Sequence, residues 1–164
     1  MATRIVAAVL DPGSADSLRM RAVTEDGHEM TLDADGQRHD GTAVGPKEML
    51  LVALAGCTAM DVISILRKKR QGTLRYEVTV SGDSADEHPR VYTHIRVEHR
   101  VGGAVEPEAL RRAVELSATR YCPVSAMLAG SVRIEHRYRL EVPGEEPIAA
   151  RVVVTGPDAP PAAG

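Results

Sequence analysis

Two cysteines are the clearest candidates for chemistry in this chain. Cys57 lies in the most apolar run, AGCTAMDVISIL at residues 55–66, and Cys122 follows 65 positions later in RYCPVS. A thiolate can attack a peroxide or a disulfide, whereas a buried thiol is simply a small apolar side chain. The spacing lacks the C-x-x-C pattern of thioredoxin-type and zinc sites. The cysteines alone therefore leave both interpretations open.

The local settings of the two cysteines differ. Cys122 directly precedes Pro123, which predicts a position near the N-cap of a helix, where the dipole and free N–H groups favour a thiolate. We therefore expect a lowered pKa for Cys122. Cys57 lies deep in a predicted helix, and Asp61 one turn later disfavours a thiolate if both face the same way. Activation of Cys57 then requires a cation from another segment or subunit.

The segment around Cys57 is predicted to be a long central helix from Pro46 to about Arg70. Proline suits the first helical turn, a basic cluster complements the C-terminal dipole, and Gly72 follows as a stop signal. From Met49 to Leu66 the run is apolar on nearly every face. We therefore expect the helix to be buried inside the protein or in a dimer.

Alternating apolar and polar residues predict strands on both sides of this helix. The predicted strands cover residues 3–10, 17–23, 28–34, 74–82, 90–101 and 131–142, and residues 148–156 can add an edge strand. Two shorter helices are predicted at residues 106–121 and 123–130. The order, three strands, a helix, two strands, two helices and a strand, indicates an α+β fold.

Composition and charge exclude several classes of protein. The 164 residues carry a formal net charge of −3 and neither Phe nor Trp, so we expect no nucleic-acid partner. The N-terminal apolar stretch is too short for a secretory signal, and no uninterrupted apolar run is long enough for a membrane span. We therefore predict a cytoplasmic protein without a membrane partner.

Two stretches together resemble the OsmC/Ohr family, named for osmotically inducible protein and organic hydroperoxide resistance protein. They are GPKEMLLVALAGCTAMDVISIL, with G-C-T inside the apolar helix, and SATRYCPVSAML, with Y-C-P-x-S at a helix start. The likeness covers roughly residues 5–142, so we predict an OsmC-like domain at 1–143 and an extension at 144–164 that ends in a disordered Pro/Ala-rich tail. The resemblance implies an intertwined homodimer, with antiparallel sheets around long central helices and active sites at the subunit interface.

The resemblance also implies a thiol-dependent organic hydroperoxide reductase that acts in the oxidative stress response. Cys57 would be the peroxidatic cysteine that forms a sulfenic acid, and Cys122 the resolving cysteine that forms a disulfide with it. A dithiol reductant of lipoyl or thioredoxin type would then regenerate the thiols. No cofactor and no metal is expected. The residues predicted to line an apolar peroxide pocket are Leu54, Met60, Asp61 and Met127.

The chain departs from the family at the start of the long helix. The peroxidases carry N-P-E there, and its glutamate holds an arginine that polarises the reactive thiol. Here Lys47 follows the proline and Glu48 comes one place later, about 100° around the helix. Arg19 and Arg21 are the candidate arginines, although they lack the Gly-Arg signature. Glu48 is equally explained as an acid that favours the helix dipole.

Two other functions stay open. The chain can be a non-enzymatic OsmC-like protein that binds a small hydrophobic ligand or senses redox state, and Lys47 keeps this alternative open. It can also be a structural dimer with inert thiols. The histidines do not predict a metal site, because His94 and His99 fall on opposite faces of a regular strand and His136 is isolated in the sequence.

Overall fold

The structure, a computed structural model, describes residues 3–10, 18–34 and 43–159. It divides into two compact units, Met1–Leu50 and Leu51–Gly164, which are described one at a time. The end of the predicted Pro/Ala-rich tail, residues 160–164, lies outside the described residues.

The first unit contains an antiparallel sheet in the order β1-β2-β3. Its strands are β1 (Val6–Leu10), β2 (Met20–Thr24) and β3 (Glu29–Leu32). The turn between β2 and β3 is closed by the Gly27 N–H, which donates to the Thr24 carbonyl at 2.9 Å. Gly27 has a φ of +81°, a conformation that glycine adopts without a steric penalty. The hairpin predicted from the E-D-G turn signal is therefore present.

The long predicted helix is α1, which spans Pro46–Lys68. It ends slightly before the predicted boundary, because Arg70 adopts a left-handed φ of 54°. The Gln71 N–H then donates to the Leu66 carbonyl at 3.0 Å, which satisfies one of the last helical carbonyls. Gly72 consequently begins the next strand instead of capping the helix.

One stripe of α1 is buried. The stripe recurs every four residues and consists of Leu54, Thr58, Val62 and Leu66. By length and composition alone α1 is long and apolar enough to span a membrane, a property that core helices of soluble proteins share. Other apolar residues remain accessible, with Val52 54% and Met60 71% exposed. The expected burial is therefore met on one face of α1 in the single chain.

The second unit contains a four-stranded sheet in the order β4-β5-β6-β7. Its strands are β4 (Gly72–Ser84), β5 (Tyr92–Ala104), β6 (Arg133–Glu141) and β7 (Ile148–Thr155). The β4/β5 and β6/β7 pairs are antiparallel, whereas β5 and β6 are parallel. The predicted antiparallel sheets are therefore present, with one parallel pair within the second sheet, because a helical crossover returns the chain from β5 to the same end of the sheet.

This crossover consists of three helical pieces between β5 and β6. They are α2 (Pro107–Leu116), a π-helical turn at Ser117–Tyr121, and α3 (Pro123–Leu128). The sequence predicted a single helix up to Tyr121. Instead, the Cys122 N–H donates to the Ser117 carbonyl five residues back, at 3.0 Å. Such a π-turn accommodates one extra residue and reorients the chain that follows.

The core of the second unit contains two apolar clusters. The first cluster comprises Leu54, Ile95, Val97, Cys122, Val132 and Ile134. The second cluster comprises Val62, Leu66, Val101, Val105, Leu110, Ala113, Val114, Tyr138 and Leu140. Along both α1 and β5 a fully buried polar residue lies between the two clusters, Thr58 on the helix and His99 on the strand. A polar layer therefore separates the clusters, and both cysteines lie on the side of the first cluster, which contains Cys122 and packs against Cys57.

Candidate thiol site

The two sulfurs and one carboxylate form a tight group. Cys57 Sγ, Cys122 Sγ and a carboxylate oxygen of Asp61 all lie within 4.8 Å of one another. Cys57 and Asp61 are one turn apart on α1 and face the same way, while Cys122 arrives from the crossover. Both cysteines are free thiols. Cys122 is 3% exposed and Cys57 is half-buried, so Cys57 is the more accessible sulfur.

Cys122 is the N-cap of α3, as Pro123 predicted, and its Sγ accepts a hydrogen bond from the Ser125 N–H at 3.3 Å. The predicted lowering of its pKa is nevertheless wrong. Burial raises the pKa of Cys122 to about 12, and a hydrogen bond to Cys57 contributes in the same direction. The N–H donor of a six-residue helix opposes this shift but does not outweigh it. Cys122 therefore keeps its proton at neutral pH.

A chain of hydrogen bonds runs from Asp61 into the polar layer. The Ser117 hydroxyl donates to Asp61 Oδ2 at 3.0 Å and lies 2.9 Å from Thr58 Oγ1. Thr58 Oγ1 is 3.5 Å from His99 Nε2, and His99 Nδ1 is 2.8 Å from the Tyr76 hydroxyl. The Tyr76 and His99 rings stack with their centroids 6.1 Å apart. The chain thus joins α1, the π-turn, β4 and β5.

The direction of every bond in this chain follows from counting hydrogens. Burial lowers the pKa of His99 to about 3 and raises the pKa of Tyr76, so the imidazole is neutral and the phenol keeps its proton. Ser117 uses its one hydrogen on Asp61 and therefore accepts from Thr58. Thr58 in turn accepts from His99 Nε2–H, which leaves Nδ1 to accept from Tyr76. All donors point towards the Asp61 carboxylate.

His136, which is isolated in the sequence, has a partner in the fold. It is fully buried, its Nε2 lies 3.4 Å from Ser125 Oγ, and burial lowers its pKa to about 4. A proton on His136 would also lower the pKa of His99 by charge repulsion. Ser125 thus links His136 to Cys122, whose sulfur accepts from the Ser125 N–H. His94 faces away from the buried side of β5 that carries His99, as predicted.

The other predicted pocket residues differ in burial. Leu54 is fully buried in the first cluster, whereas Met60 and Met127 are each 71% exposed in the single chain. Whether the two methionines line a ligand pocket stays a prediction.

The predicted thiolate clamp involves residues of the first unit. Glu48 is exposed in the first turn of α1, and Arg19, directly before β2, is half-buried. Arg21 Nη1 forms a surface ion pair with Glu29 Oε1 at 2.7 Å. The role of Glu48 and the two arginines towards Cys57 stays a prediction.

The donor atoms of the site also match a metal-binding set. Two thiolates and one carboxylate are ligands that Zn²⁺ accepts, and Cys57, Cys122 and Asp61 are close enough together to share one ion. The sequence predicted no metal, and this expectation stays a prediction. Without a metal, the same group is a dithiol with an adjacent carboxylate, suited to reversible oxidation.

Sequence reasoning missed Thr58, Ser117 and Tyr76. One signal was present: Thr58 lies between Leu54 and Val62 on the apolar stripe of α1, and a polar residue on such a stripe requires a buried hydrogen-bond partner. The partners themselves come from β5 and the π-turn. Their identities depend on how these elements pack, which periodicity does not report.

Comparisons with known proteins find one matching family model and related chains. A family model described as OsmC-like protein matches residues 39–137. Protein YhfA of Escherichia coli (strain K12) is 40% identical over 115 residues, which cover 70% of this chain and 84% of YhfA.

Solved structures are similar over most of this chain. The crystal structure of a hypothetical protein from Aquifex aeolicus VF5 has a TM-score of 0.74 and 30% identity, and the match covers 89% of this chain and 100% of that one. An organic hydroperoxide resistance protein OsmC from Legionella pneumophila has a TM-score of 0.59 and 17% identity, covering 87% of this chain and 97% of that protein. At that identity the likeness to the Legionella protein shows a shared fold alone.

Proposed function

Because the chain belongs to the OsmC-like protein family, we propose that it is a thiol-dependent reductase of organic hydroperoxides. Cys57 is the peroxidatic cysteine and Cys122 the resolving cysteine. The observation that carries the proposal is the grouping of both sulfurs within 4.8 Å, with the accessible thiol on Cys57 and a buried, protonated thiol on Cys122. The description of the Legionella relative as an organic hydroperoxide resistance protein supports the substrate class.

The proposed reaction has two chemical steps. The Cys57 thiolate attacks the terminal peroxide oxygen and the O–O bond breaks. The alkoxide that departs takes up the proton that the thiol released, so the products are an alcohol and a sulfenic acid on Cys57. Cys122 then attacks the sulfenic sulfur, releasing water and forming a disulfide. A dithiol of lipoyl or thioredoxin type completes the cycle by reducing this disulfide. Cys57 is half-buried among apolar residues. An organic hydroperoxide therefore fits the site better than hydrogen peroxide does.

We propose that the active form is a cytoplasmic homodimer. The exposed apolar residues of α1, which include Val52 and Met60, support an interface on this helix, because apolar helix faces of this kind are usually covered by a partner. A second copy would then contribute to the pocket around Cys57.

A second candidate function is that of a non-enzymatic redox sensor or binder of small hydrophobic molecules. The observation in its favour is the Asp61 carboxyl group, which lies within 4.8 Å of Cys57 Sγ, where an activated cysteine would have a cation. Such a protein would be oxidised once by a peroxide and would not turn over.

The test measures consumption of cumene hydroperoxide in the presence of a dithiol. We expect multiple turnovers for the wild type and none above the buffer rate for Cys57→Ser. For Cys122→Ser we expect a sulfenic acid on Cys57, trapped by a cyclic dione and seen by mass spectrometry, without an intramolecular disulfide. The double variant Cys57→Ser, Thr79→Cys is the control for an exposed thiol elsewhere, because Thr79 is exposed on β4.

Turnover that persists in Cys57→Ser would remove the peroxidase mechanism. Restoration of turnover by Thr79→Cys in the Cys57→Ser background would also remove this mechanism, because any accessible thiol could then reduce the peroxide. A single stoichiometric oxidation of the wild type, with no turnover under excess dithiol, would favour the sensor.

A further inference from the structure

The site is a cluster of three acids. Two thiols and one carboxyl group within 4.8 Å cannot all carry a negative charge at neutral pH, because like charges at this separation raise each other's free energy. Protons are therefore held within the group. Cys122 holds one of them, since its buried thiol is a hydrogen-bond donor to Cys57.

Buried hydroxyl groups hold the Asp61 carboxylate of this cluster in place. Ser117 donates to Asp61 Oδ2 at 3.0 Å, and Ser117 is itself fixed by Thr58 at 2.9 Å. Thr58, Ser117 and His99 are all completely buried, so these donors are not replaced by water. A surface carboxylate that served solubility alone would not require three buried donors in series. The arrangement instead fixes one oxygen of Asp61 and leaves the carboxylate beside the sulfurs.

We propose that Asp61 is the proton carrier of the thiol pair, and that Ser117, Thr58 and His99 are positioning residues that hold its carboxylate. Asp61 accepts the proton that each sulfur must lose before it attacks, directly or through one water molecule. It returns that proton to the oxygen that leaves. For the peroxide steps this inference rests on the proposed function.

The proton balance closes in both steps. As Cys57 Sγ bonds to the terminal peroxide oxygen, its proton moves to Asp61, the O–O bond breaks and the departing alkoxide takes the proton to become an alcohol. As Cys122 Sγ bonds to the sulfenic sulfur, its proton moves to Asp61, the S–O bond breaks and the departing hydroxide becomes water. The peroxide is the oxidant, and Asp61 ends each step unchanged.

The test uses a chromogenic aromatic disulfide instead of a peroxide, with a chelator present. Cys57 attacks it and releases one coloured thiolate. Cys122 then attacks the mixed disulfide and releases a second, in a phase that requires loss of the Cys122 proton. We expect Asp61→Asn to slow this second phase by about 100-fold near pH 7, the lower range of general acid–base contributions. The difference in rate between wild type and Asp61→Asn should narrow as the pH is raised towards about 9, because the thiolate fraction formed without Asp61 rises about tenfold per pH unit.

The control is Asp86→Asn, an exposed aspartate in the β4/β5 turn, which should leave both phases unchanged. If Asp61 acted only as a negative charge, Asp61→Asn would speed both phases, because the neutral amide favours a thiolate. A second phase as fast as wild type, or faster, overturns the inference. If Asp61→Asn does not fold, Asp61→Ala is compared with and without formate; acceleration of the second phase by formate supports the inference, and no effect overturns it.

These phases contain no hydroperoxide, so the two proposals fail separately. A second phase that depends on Asp61, in a protein without peroxide turnover, would reject the proposed function and retain the proton carrier. Peroxide turnover together with a second phase whose rate is unchanged in Asp61→Asn would retain the proposed function and reject the proton carrier.

Discussion

His99, His136 and Cys122 all favour their uncharged forms, and for one reason. Each is almost completely shielded from water, and burial disfavours whichever form carries a charge. It therefore lowers the pKa of the two histidines and raises that of the thiol. Local sequence pointed the other way for Cys122, since a cap position favours a thiolate. The loss of solvent, which depends on tertiary packing, decides the outcome.

The neutral histidines predict a loss of stability in acid. Their pKa values are about 3 and about 4 in the folded chain, against about 6.5 when unfolded. Below about pH 6.5 the unfolded chain binds protons that the folded chain does not. The free energy of unfolding should therefore be unaffected above this pH, and fall by about 1.4 kcal/mol per pH unit for each histidine as the pH drops towards about 4.

Urea unfolding of the wild type and His136→Gln, at several pH values from about 7 to about 5, measures this loss. Glutamine keeps a polar partner for Ser125 but does not titrate, so the pH dependence should decrease by about one proton. His28→Gln is the matched control, because His28 is exposed and its replacement should leave the dependence unchanged. An equal pH dependence in the wild type and His136→Gln would contradict the assignment.

Among the elements, the π-turn at Ser117–Tyr121 contributes most to the site. It directs the Ser117 hydroxyl towards Asp61 at one end and places Cys122 as the cap of α3 at the other. A regular α-helix through the same residues would rotate one of these side chains by about 100° relative to the other. The extra residue of the turn therefore aligns both with α1.

Inserting one alanine after Thr119, an exposed residue inside the π-turn, tests this role. The Cys122 N–H now bonds the Ser117 carbonyl five residues back, and one more residue should rotate Cys122 by about 100° and turn it away from Cys57. We expect oxidation by a diazene oxidant to form the intramolecular disulfide at least about ten times more slowly than in the wild type, measured by mass spectrometry after alkylation. Disulfide formation should slow because the sulfurs are no longer aligned, and small displacements of reacting groups cost about 100-fold in rate.

The control for this insertion is an alanine added after Glu145, which is exposed between β6 and β7. Circular dichroism should show folded protein for both insertions. Disulfide formation at the wild-type rate after the insertion at Thr119 would show that the turn does not set the sulfur alignment.

The elements with a regular pattern were predictable, and the contacts between them were not. Helical spacing identified α1, and alternation identified β4, β5 and β6. The parallel pairing of β5 with β6 was not predicted, because alternation does not encode strand direction. The π-turn was not predicted, because its apolar spacing resembles that of the preceding α-helix. The two cysteines were predictable from a sequence motif. The hydrogen-bond chain from Tyr76 to Asp61 was not, because it joins side chains from four elements whose packing the sequence pattern does not report.

For the whole molecule, the exposed apolar part of α1 predicts self-association. Val52 is 54% exposed, and burying such a side chain at an interface contributes about 1.5–3 kcal/mol. Val52→Glu should therefore weaken a dimer by at least about 100-fold in Kd. Sedimentation equilibrium over a range of protein concentrations measures the change.

Val91→Glu is the matched control, because Val91 is also 54% exposed and lies near the tip of the β4/β5 hairpin. It should leave the Kd of the dimer unchanged. A wild-type protein that is monomeric at all concentrations, or a Val52→Glu protein as dimeric as the wild type, would contradict an interface on α1.

The closeness of the two sulfurs also has a mechanical consequence. A bond between Cys57 and Cys122 would tie α1 to the start of α3 and close a covalent ring that contains β4, β5 and α2. For a ring of 65 positions, chain entropy alone would stabilise the folded state by about 4 kcal/mol. The protein would then be hardest to unfold or digest just after meeting an oxidant. The protein would therefore stay more resistant to heat and proteases after oxidation until a reductant cleaves the disulfide.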